Sequence, residues 1–389
     1  MKKIAIFTRG LLPNGATISL IELIKRLPYD KIELDLYILN KKEVYSFYLE
    51  QIPSAVNIKY VDRYEVNKRT INNVLIYPIH FFKACYAGKM LKKYSELSLA
   101  EYFKFAAARY PKVNIVYDAA ISYRHYDIDV FFVANNINAK KKAFLVHGVQ
   151  PISEKDKSIL TPIYKKYDKI FPVSYTAKNN IDTNFEWIKN KSVVMYSIVD
   201  SEMILREAKI GKSLPISNKI KLLTIGRLSQ EKGMDLVVEA CIILKKRRLN
   251  FIWYICGDGP MKDELIFKIE ENNLQSYLVL LGHQDNPYGY LKSCDIYIQP
   301  SHLESYCLSI NEAKIFHKPI ISTNIPAAIE QLKNYETGLL CTENQIDMSN
   351  KIQELVESPE LRHILSSNLE TGNYSHYEAV SQFTEFVLQ

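Results

Sequence analysis

"IKLLTIGRLSQEKGMDLVVEACIILKKRRLNFIWYICGDGP", residues 220–260, decides the fold class. "IKLLTIGRL" reads as a strand running into a loop, "MDLVVEACIILKKR" as a helix, and "FIWYICGDGP" as a strand that ends in a glycine turn. Two short apolar strands separated by a helix need a crossover connection, so they run parallel. The alternation continues downstream through "DELIFKIEENN", "YLVLLG", "YGYLKSC", "DIYIQP", "LSINEAKIFH" and "PIISTN". A chain that repeats strand and helix in this way folds as a parallel α/β sheet.

The same alternation stands upstream. "KIAIF" leads into a loop with Gly10 and Gly15, "ISLIELIKRL" has helical apolar spacing, and "IELDLYIL" is a strand. "NIKYV", "AAISY", "KAFLVHG", "KIFPVS" and "SVVMYS" are further β signals. The stretch "AKIGKSLPISNK", residues 208–219, is polar and contains Pro and Ser, and the pattern restarts after it. No sequence repeat is found, but the architecture repeats. The expectation is two Rossmann-like domains, 1–200 and 219–368, joined near 197–218, with 369–389 as a C-terminal helix packing back on the first.

The 389 residues suit two domains of about 150 to 200 residues. Hydrophobic content of 47% and charged content of 24% are ordinary for a soluble globular protein. The start, with Arg9 and Pro13 breaking its apolar run, does not read as a signal peptide, and no stretch approaches about 18 uncharged apolar residues. The six cysteines (85, 241, 256, 294, 307 and 341) lack zinc-ligand spacing and read as reduced thiols in a cytoplasmic protein. The net charge of +7 is uneven: residues 63–109 hold nine Lys or Arg against three Glu, a net of +6, interleaved with Tyr, Phe and Leu. Such a segment suits the anionic inner face of a membrane. It equally suits ordinary helices with lysines in water. Nucleic acid is disfavoured, because no recognition motif accompanies the charge.

Ligands in open parallel sheets bind outside the carboxyl ends of the strands, so the loops there carry the search. In "TRGLLPNGAT", Gly15 precedes a helix whose N-terminus favours an anion, although a lone turn glycine also has a purely structural reading. "GRLSQEKG", 226–233, puts Arg227 and Lys232 in one short loop, which suits a pyrophosphate; singly, each is an ordinary surface cation. His147 ends the strand in "LVHGV", where a packed or capping histidine is the bland alternative. In "SHLESYCLSINEAK", 301–314, Glu304 lies in a strand-to-helix loop and Glu312 about two turns into the helix. Ser305, Tyr306, Cys307 and Leu308 supply backbone N–H groups between them. A carboxylate accepts hydrogen bonds in a fork that fits a vicinal diol, so the pair can hold one ligand with a diol at each end and anions between.

"GRLSQEKGMDLVVEA", "CGDGP", "LGHQDN", "CDIYIQPSHLESYCLSINEA" and "ETGLL" together resemble the C-terminal domain of family 4 retaining glycosyltransferases, across about 219–342. "NGATISLIELIKRLPYDKIELDLYIL", "YDAAISYRH", "KKKAFLVHG" and "YDKIFPVSYTAKNNI" are similar to members that build bacterial surface polysaccharides (capsule, O-antigen or exopolysaccharide). The resemblance implies the GT-B fold, two Rossmann-like α/β/α domains facing each other across a cleft. It implies transfer of a hexose or N-acetylhexosamine from a nucleotide diphosphate sugar, a UDP-sugar foremost, to a glycan or lipid-linked oligosaccharide, with retention of configuration. Neither a metal nor a cofactor is expected.

The resemblance also assigns roles. Glu312 binds the nucleotide ribose and Glu304 the donor hexose, while Arg227 and Lys232 hold the diphosphate beside Gly226. Gly15 admits the phosphate, His147 lines the sugar, and the loop at Gly282 and His283 meets the base. Two departures stand out. Asn14 and Gly15 replace a pair of glycines, and Ser305, Tyr306 and Cys307 stand where the family often has Gly-Phe-Gly, which bears on donor identity. Among alternatives, a metal-dependent transferase would use Asp127 and Asp129 of "HYDIDVFF", and a dehydrogenase would need a glycine fingerprint that is missing. An NDP-sugar epimerase of the same fold and a non-catalytic accessory of a glycosyltransferase complex also remain.

Overall fold

β1 (Lys2–Thr8) is apolar along most of its length because it lies inside a parallel sheet, covered on both faces. Ile4, Ala5, Ile6 and Phe7 are fully buried, and Ile4 stands between Leu34 of one neighbour and Ala119 of the other. The structure, a computed structural model, describes residues 1–61, 97–372 and 374–389. The chain divides into two units, 1–197 with 377–389, and 198–376.

In the first unit β1, β2 (Ile32–Ile38), β3 (Val56–Tyr60), β4 (Val113–Ser122), β5 (Ile137–Val146) and β6 (Lys169–Pro172) form one parallel sheet in the order β3-β2-β1-β4-β5-β6. "SVVMYS" is not a strand. Val193 and Met195 donate to the carbonyls of Ile170 and Pro172, so the segment runs beside β6 with an isolated bridge at Ser192 and no continuous ladder. The helix Glu378–Leu388 packs on this unit: Phe386 meets Phe171 edge to face at 5.6 Å, and Lys141 Nζ donates to its carbonyl.

The second unit repeats the winding. β7 (Ile220–Ile225), β8 (Phe251–Cys256), β9 (Leu278–Gly282), β10 (Ile296–Gln299), β11 (Ile320–Thr323) and β12 (Leu339–Cys341) order as β12-β11-β10-β7-β8-β9, again all parallel. Successive side chains point to opposite faces. Leu222, Trp253, Ile255, Ile296 and Ile298 therefore pack under Val237 and Ile352, while Leu223, Tyr254, Tyr297 and Ile320 pack under Ile310 and Ala313. Residues 198–218, expected as a linker, belong to this unit. Their helix Ser201–Ile210 buries Ile204 and Ala208 in a cluster with Tyr288 and Ile315. At the other end, residues 369–376 stay with the second unit, and the return to the first begins at Tyr377.

Most of the basic aromatic segment, 63–96, lies outside the described residues. Its last part forms the helix Leu99–Ala107, started by a capping box between Ser98 and Glu101, with Ala100, Phe103, Ala106 and Ala107 buried against its own unit. Among the described residues no helix is long and apolar enough to cross a membrane. Five cysteines, 241, 256, 294, 307 and 341, are free and buried, and Cys85 lies outside the described residues.

Gly233 joins a short 3-10 turn (Gln230–Lys232) to the helix Met234–Lys246 with φ of 68°. A Cβ there would stand 1.9 Å from the carbonyl oxygen of Pro300, so both conformation and space require glycine. Gly282 also has positive φ, 71°, but a Cβ there would meet nothing within 4 Å. Gly233→Ala should therefore lower Tm by about 5 °C or more, and Gly282→Ala by clearly less. Equal thermal shifts in a calorimeter would show that the contact with Pro300 is not what holds the loop.

Candidate functional site

In the second sheet the order reverses between β7 and β10, the crevice where open α/β sheets take ligands. The loop after β7 carries Gly226, Arg227 and Lys232, and the loop after β10 carries Glu304. Neighbouring loops are stitched to the first by backbone bonds. Gly226 N–H donates to Cys256 O at 3.0 Å, Leu228 N–H to Asp258 O at 3.0 Å, and Gly257 N–H to Gly282 O at 2.9 Å. The glycine turn "CGDGP" is thus a brace between the strand ends.

Lys232 and Glu304 meet across the crevice, Nζ to Oε1 at 2.5 Å. Ser301 Oγ donates to the same oxygen at 2.9 Å and Gln299 Nε2 approaches it at 3.4 Å. Burial alone would lower the Lys232 ammonium, but the charge of Glu304 beside it holds it above its ordinary value, so it stays cationic. Arg227 is exposed and has no hydrogen bond or ion pair among the described residues. The loop therefore offers one engaged cation and one open to solvent.

Glu304 is followed by a tight entry into the helix Leu308–Ile315. Its N-cap, Cys307, has φ of 66°, left-handed backbone that costs a residue with a Cβ about 1 kcal/mol or more. Gln331 Nε2 bonds the carbonyls of Tyr306 and Cys307 and fixes the turn. Burial, then the charge of Glu304, pushes the Cys307 thiol up to about 12, so it is neutral. The Tyr306 side chain turns inward, against the expectation that it stands beside a ligand. It is buried, with its hydroxyl 2.6 Å from His376 Nε2 and accepting from Asn311 Nδ2 at 2.6 Å. Leu308 packs with the cluster of Ile204 and Tyr288.

Because the loop runs to Cys307, Glu312 is the fifth residue of the helix, just over one turn in instead of two. It is buried, with Tyr288 O–H donating to Oε1 at 3.4 Å. Burial pushes its carboxyl up to about 7 against that bond. His283 is exposed after Gly282 and pairs with Asp285 at 3.2 Å.

The first unit has its own reversal between β1 and β4. Gly15 is the first residue of the helix Gly15–Lys25, and Asn14 caps it by accepting from Thr17 N–H at 3.0 Å. Arg9, just past β1, donates its N–H to Asp129 Oδ2 at 3.1 Å and its guanidinium to Glu43. Asp127 and Asp129 lie at the start of the helix Ile128–Asn136, not on a loop. Asp127 caps it beside Arg9 and Arg124, and Asp129 is fully buried. Burial, then the charge of Asp127, holds Asp129 well above the usual carboxylate range. The His147 ring lies 4.8 Å from that of Tyr123, tilted by 38°, and burial pushes it down to about 3, so the imidazole is neutral, with an enclosed Nε2 that has no partner among the described residues.

The structure thus joins Gly226, Lys232, Glu304 and Cys307 at one crevice, with Glu312 buried in the helix that follows and Gly15 and His147 in the other unit. Sequence reasoning missed Gln299, Ser301 and Tyr288. The available signal was a glutamine in the otherwise apolar strand "IYIQ".

Residues 206–371 match the family described as Glycosyl transferases group 1. A Campylobacter jejuni protein named N-acetylgalactosamine-N,N'-diacetylbacillosaminyl-diphospho-undecaprenol 4-alpha-N-acetylgalactosaminyltransferase is 24% identical over 95% of this chain and 94% of its own. An uncharacterized glycosyltransferase of Methanocaldococcus jannaschii is 28% identical over 52% of this chain; there the chain spans about half the relative's length, 53%. Among solved structures, Anabaena HepE in complex with UDP and glucose superposes with a TM-score of 0.72 at 15% identity, covering 100% of this chain and 99% of that one. Staphylococcus aureus TarM gives 0.70 at 16%, covering 100% and 99%. The fold is that of GT-B glycosyltransferases, with two Rossmann-like α/β/α domains.

A carboxyl with a pKa raised from 4.5 to about 7 has a definite linkage. Between those values the folded chain keeps a proton that the unfolded chain has lost, so stability falls as pH rises through the window and levels above it. The fall is about 3 kcal/mol. Glu312→Gln, which cannot ionise, should lack it and gain about that much on the wild type between pH 4.5 and pH 8. Urea unfolding at both pH values measures this. Parallel behaviour of the two proteins would mean that Glu312 is ionised in the folded chain.

Proposed function

We propose that this chain is a retaining glycosyltransferase that moves a hexose or N-acetylhexosamine from a nucleotide diphosphate sugar, UDP-sugar foremost, onto a lipid-linked glycan. One observation carries the reading: Arg227, Lys232, Glu304 and Glu312 lie at the strand-order reversal of a unit that matches Glycosyl transferases group 1. In it, Glu312 holds the ribose diol and Glu304 the hexose hydroxyls. Arg227 and Lys232, with helix N-termini, meet the diphosphate and stabilise the leaving charge without a metal. Gly15 admits the phosphate and His147, kept neutral, lines the sugar. The base lies by Gly282 and His283.

Transfer on a polyprenyl diphosphate carrier is supported by the name of the Campylobacter relative, and a UDP donor by the ligands named with HepE. The place of action is the inner face of the plasma membrane, supported by the net +6 of residues 63–109. A screen of UDP-, GDP- and ADP-sugars for donor hydrolysis, followed by a lipid-acceptor assay with product anomer read by NMR, tests the whole. Activity lost to EDTA and restored by manganese would contradict the metal-free part and bring Asp127 and Asp129 forward.

Glu312→Ala should weaken binding of the nucleoside diphosphate about tenfold or more. Arg227→Ala and Lys232→Ala should instead lower turnover about 100-fold. Calorimetry and initial rates separate these effects, and near-normal rates in both cation variants would move the phosphate site elsewhere.

For the membrane, each Lys or Arg near an anionic surface contributes about 1 kcal/mol. Replacing Lys89, Lys92 and Lys93 together by Glu should release the protein from anionic vesicles while donor hydrolysis persists, and high salt should mimic the variant. Equal pelleting of variant and wild type would count against a peripheral site on this segment.

A further inference from the structure

Gln299 is buried at the carboxyl end of β10, and both ends of its amide are used. Its Oε1 accepts from Tyr297 O–H at 2.6 Å and from Ser309 Oγ at 2.9 Å. Its Nε2 donates to Ser301 Oγ at 2.7 Å and lies 3.4 Å from Glu304 Oε1. This sense of the amide is fixed by its surroundings, since the reversed one would turn a carbonyl oxygen toward a carboxylate. Tyr297 is fully buried, and burial holds its phenol well above the ordinary value, so it remains a donor.

The consequence falls on Glu304. Lys232 Nζ, Ser301 Oγ and Gln299 Nε2 all converge on Oε1, while Oε2 takes no partner among the described residues. One oxygen is consumed by the protein and the other is left for a ligand. We propose that Gln299 is a positioning residue: through Ser301 it locks the Glu304 carboxylate so that Oε2 alone is presented to a sugar hydroxyl of the donor. This rests on the donor-site reading of the second unit. Ser309 ties the lock to the first turn of the helix Leu308–Ile315, so the helix that carries Glu312 and the loop that carries Glu304 keep one register.

Gln299→Leu removes both amide ends at similar volume, and Ser301→Ala is a smaller second variant should the first fail to fold. Two readouts are compared in folded protein. Reductive methylation of Lys232, followed by mass spectrometry, should rise several-fold in either variant, because its partner is no longer held. Binding of UDP-N-acetylglucosamine should fall about tenfold, while binding of UDP, which has no hexose, stays within about twofold. Unchanged Lys232 labelling in both folded variants overturns the lock. Equal losses for UDP and the UDP-sugar overturn the assignment of Oε2 to a sugar hydroxyl. Wild-type protein that binds neither compound counts against the donor reading and with it the sugar, and the labelling then still decides whether Gln299 holds Glu304.

Discussion

The contact between Lys232 and Glu304 is 72 residues long in sequence and 2.5 Å long in space, and the second unit is arranged around it. It exists because β7 and β10 are neighbours in the sheet while their following helices leave on opposite faces. At that reversal two strand-to-helix loops face one crevice. Everything local serves to hold the two loops at that distance. Gly233 lets the first loop pass under Pro300, the turn after β8 braces it from behind, and Thr323 Oγ1 ties β11 to the carbonyl of Ser301.

Much of this was legible in the sequence, and for a physical reason. Strands covered on both faces must be apolar throughout, so "KIAIF", "IKLLTI" and "FIWYIC" declare themselves, and helices between them force parallel pairing. The loop residues that carry charge stand out against that background. Short, marginal elements were harder. "SVVMYS" has β composition but lies beside an edge strand with an interrupted ladder. Residues 198–218 look like a linker by composition, yet Ile204 and Ala208, one turn apart, give their helix a face to bury.

The details of the site were less legible because they depend on direction. Composition does not tell which way a side chain leaves the backbone, and left-handed φ at Cys307 swings the chain so that Tyr306 points into the unit. Nor does it tell how deep a carboxylate lies: Glu304 and Glu312 look alike in sequence, yet one is in an ion pair and the other is buried beside a tyrosine. The one overlooked signal was Gln299. A glutamine in a fully covered strand needs partners for both amide ends, and the partners it finds lead straight to Glu304.

Several of these features work against stability. Glu312 is held in a place that disfavours its charge, Cys307 keeps a backbone conformation suited to glycine, and Lys232 is taken largely out of water. A chain selected for stability alone would replace a buried carboxyl and a strained cysteine with a leucine and a glycine. All three lie within one short path from the loop after β7 to the helix after β10, whereas the rest of the second unit's sheet is packed with ordinary apolar side chains. Left-handed backbone also occurs outside this path, at Arg248, Asn273, His317, Tyr335 and His376, but at Cys307 it stands between a charged lysine and a carboxyl raised by burial. Among the described residues Glu304 Oε2 and the Arg227 guanidinium take no partner, and burial raises the Glu312 carboxyl, so this path holds the least satisfied charged groups of the reversal.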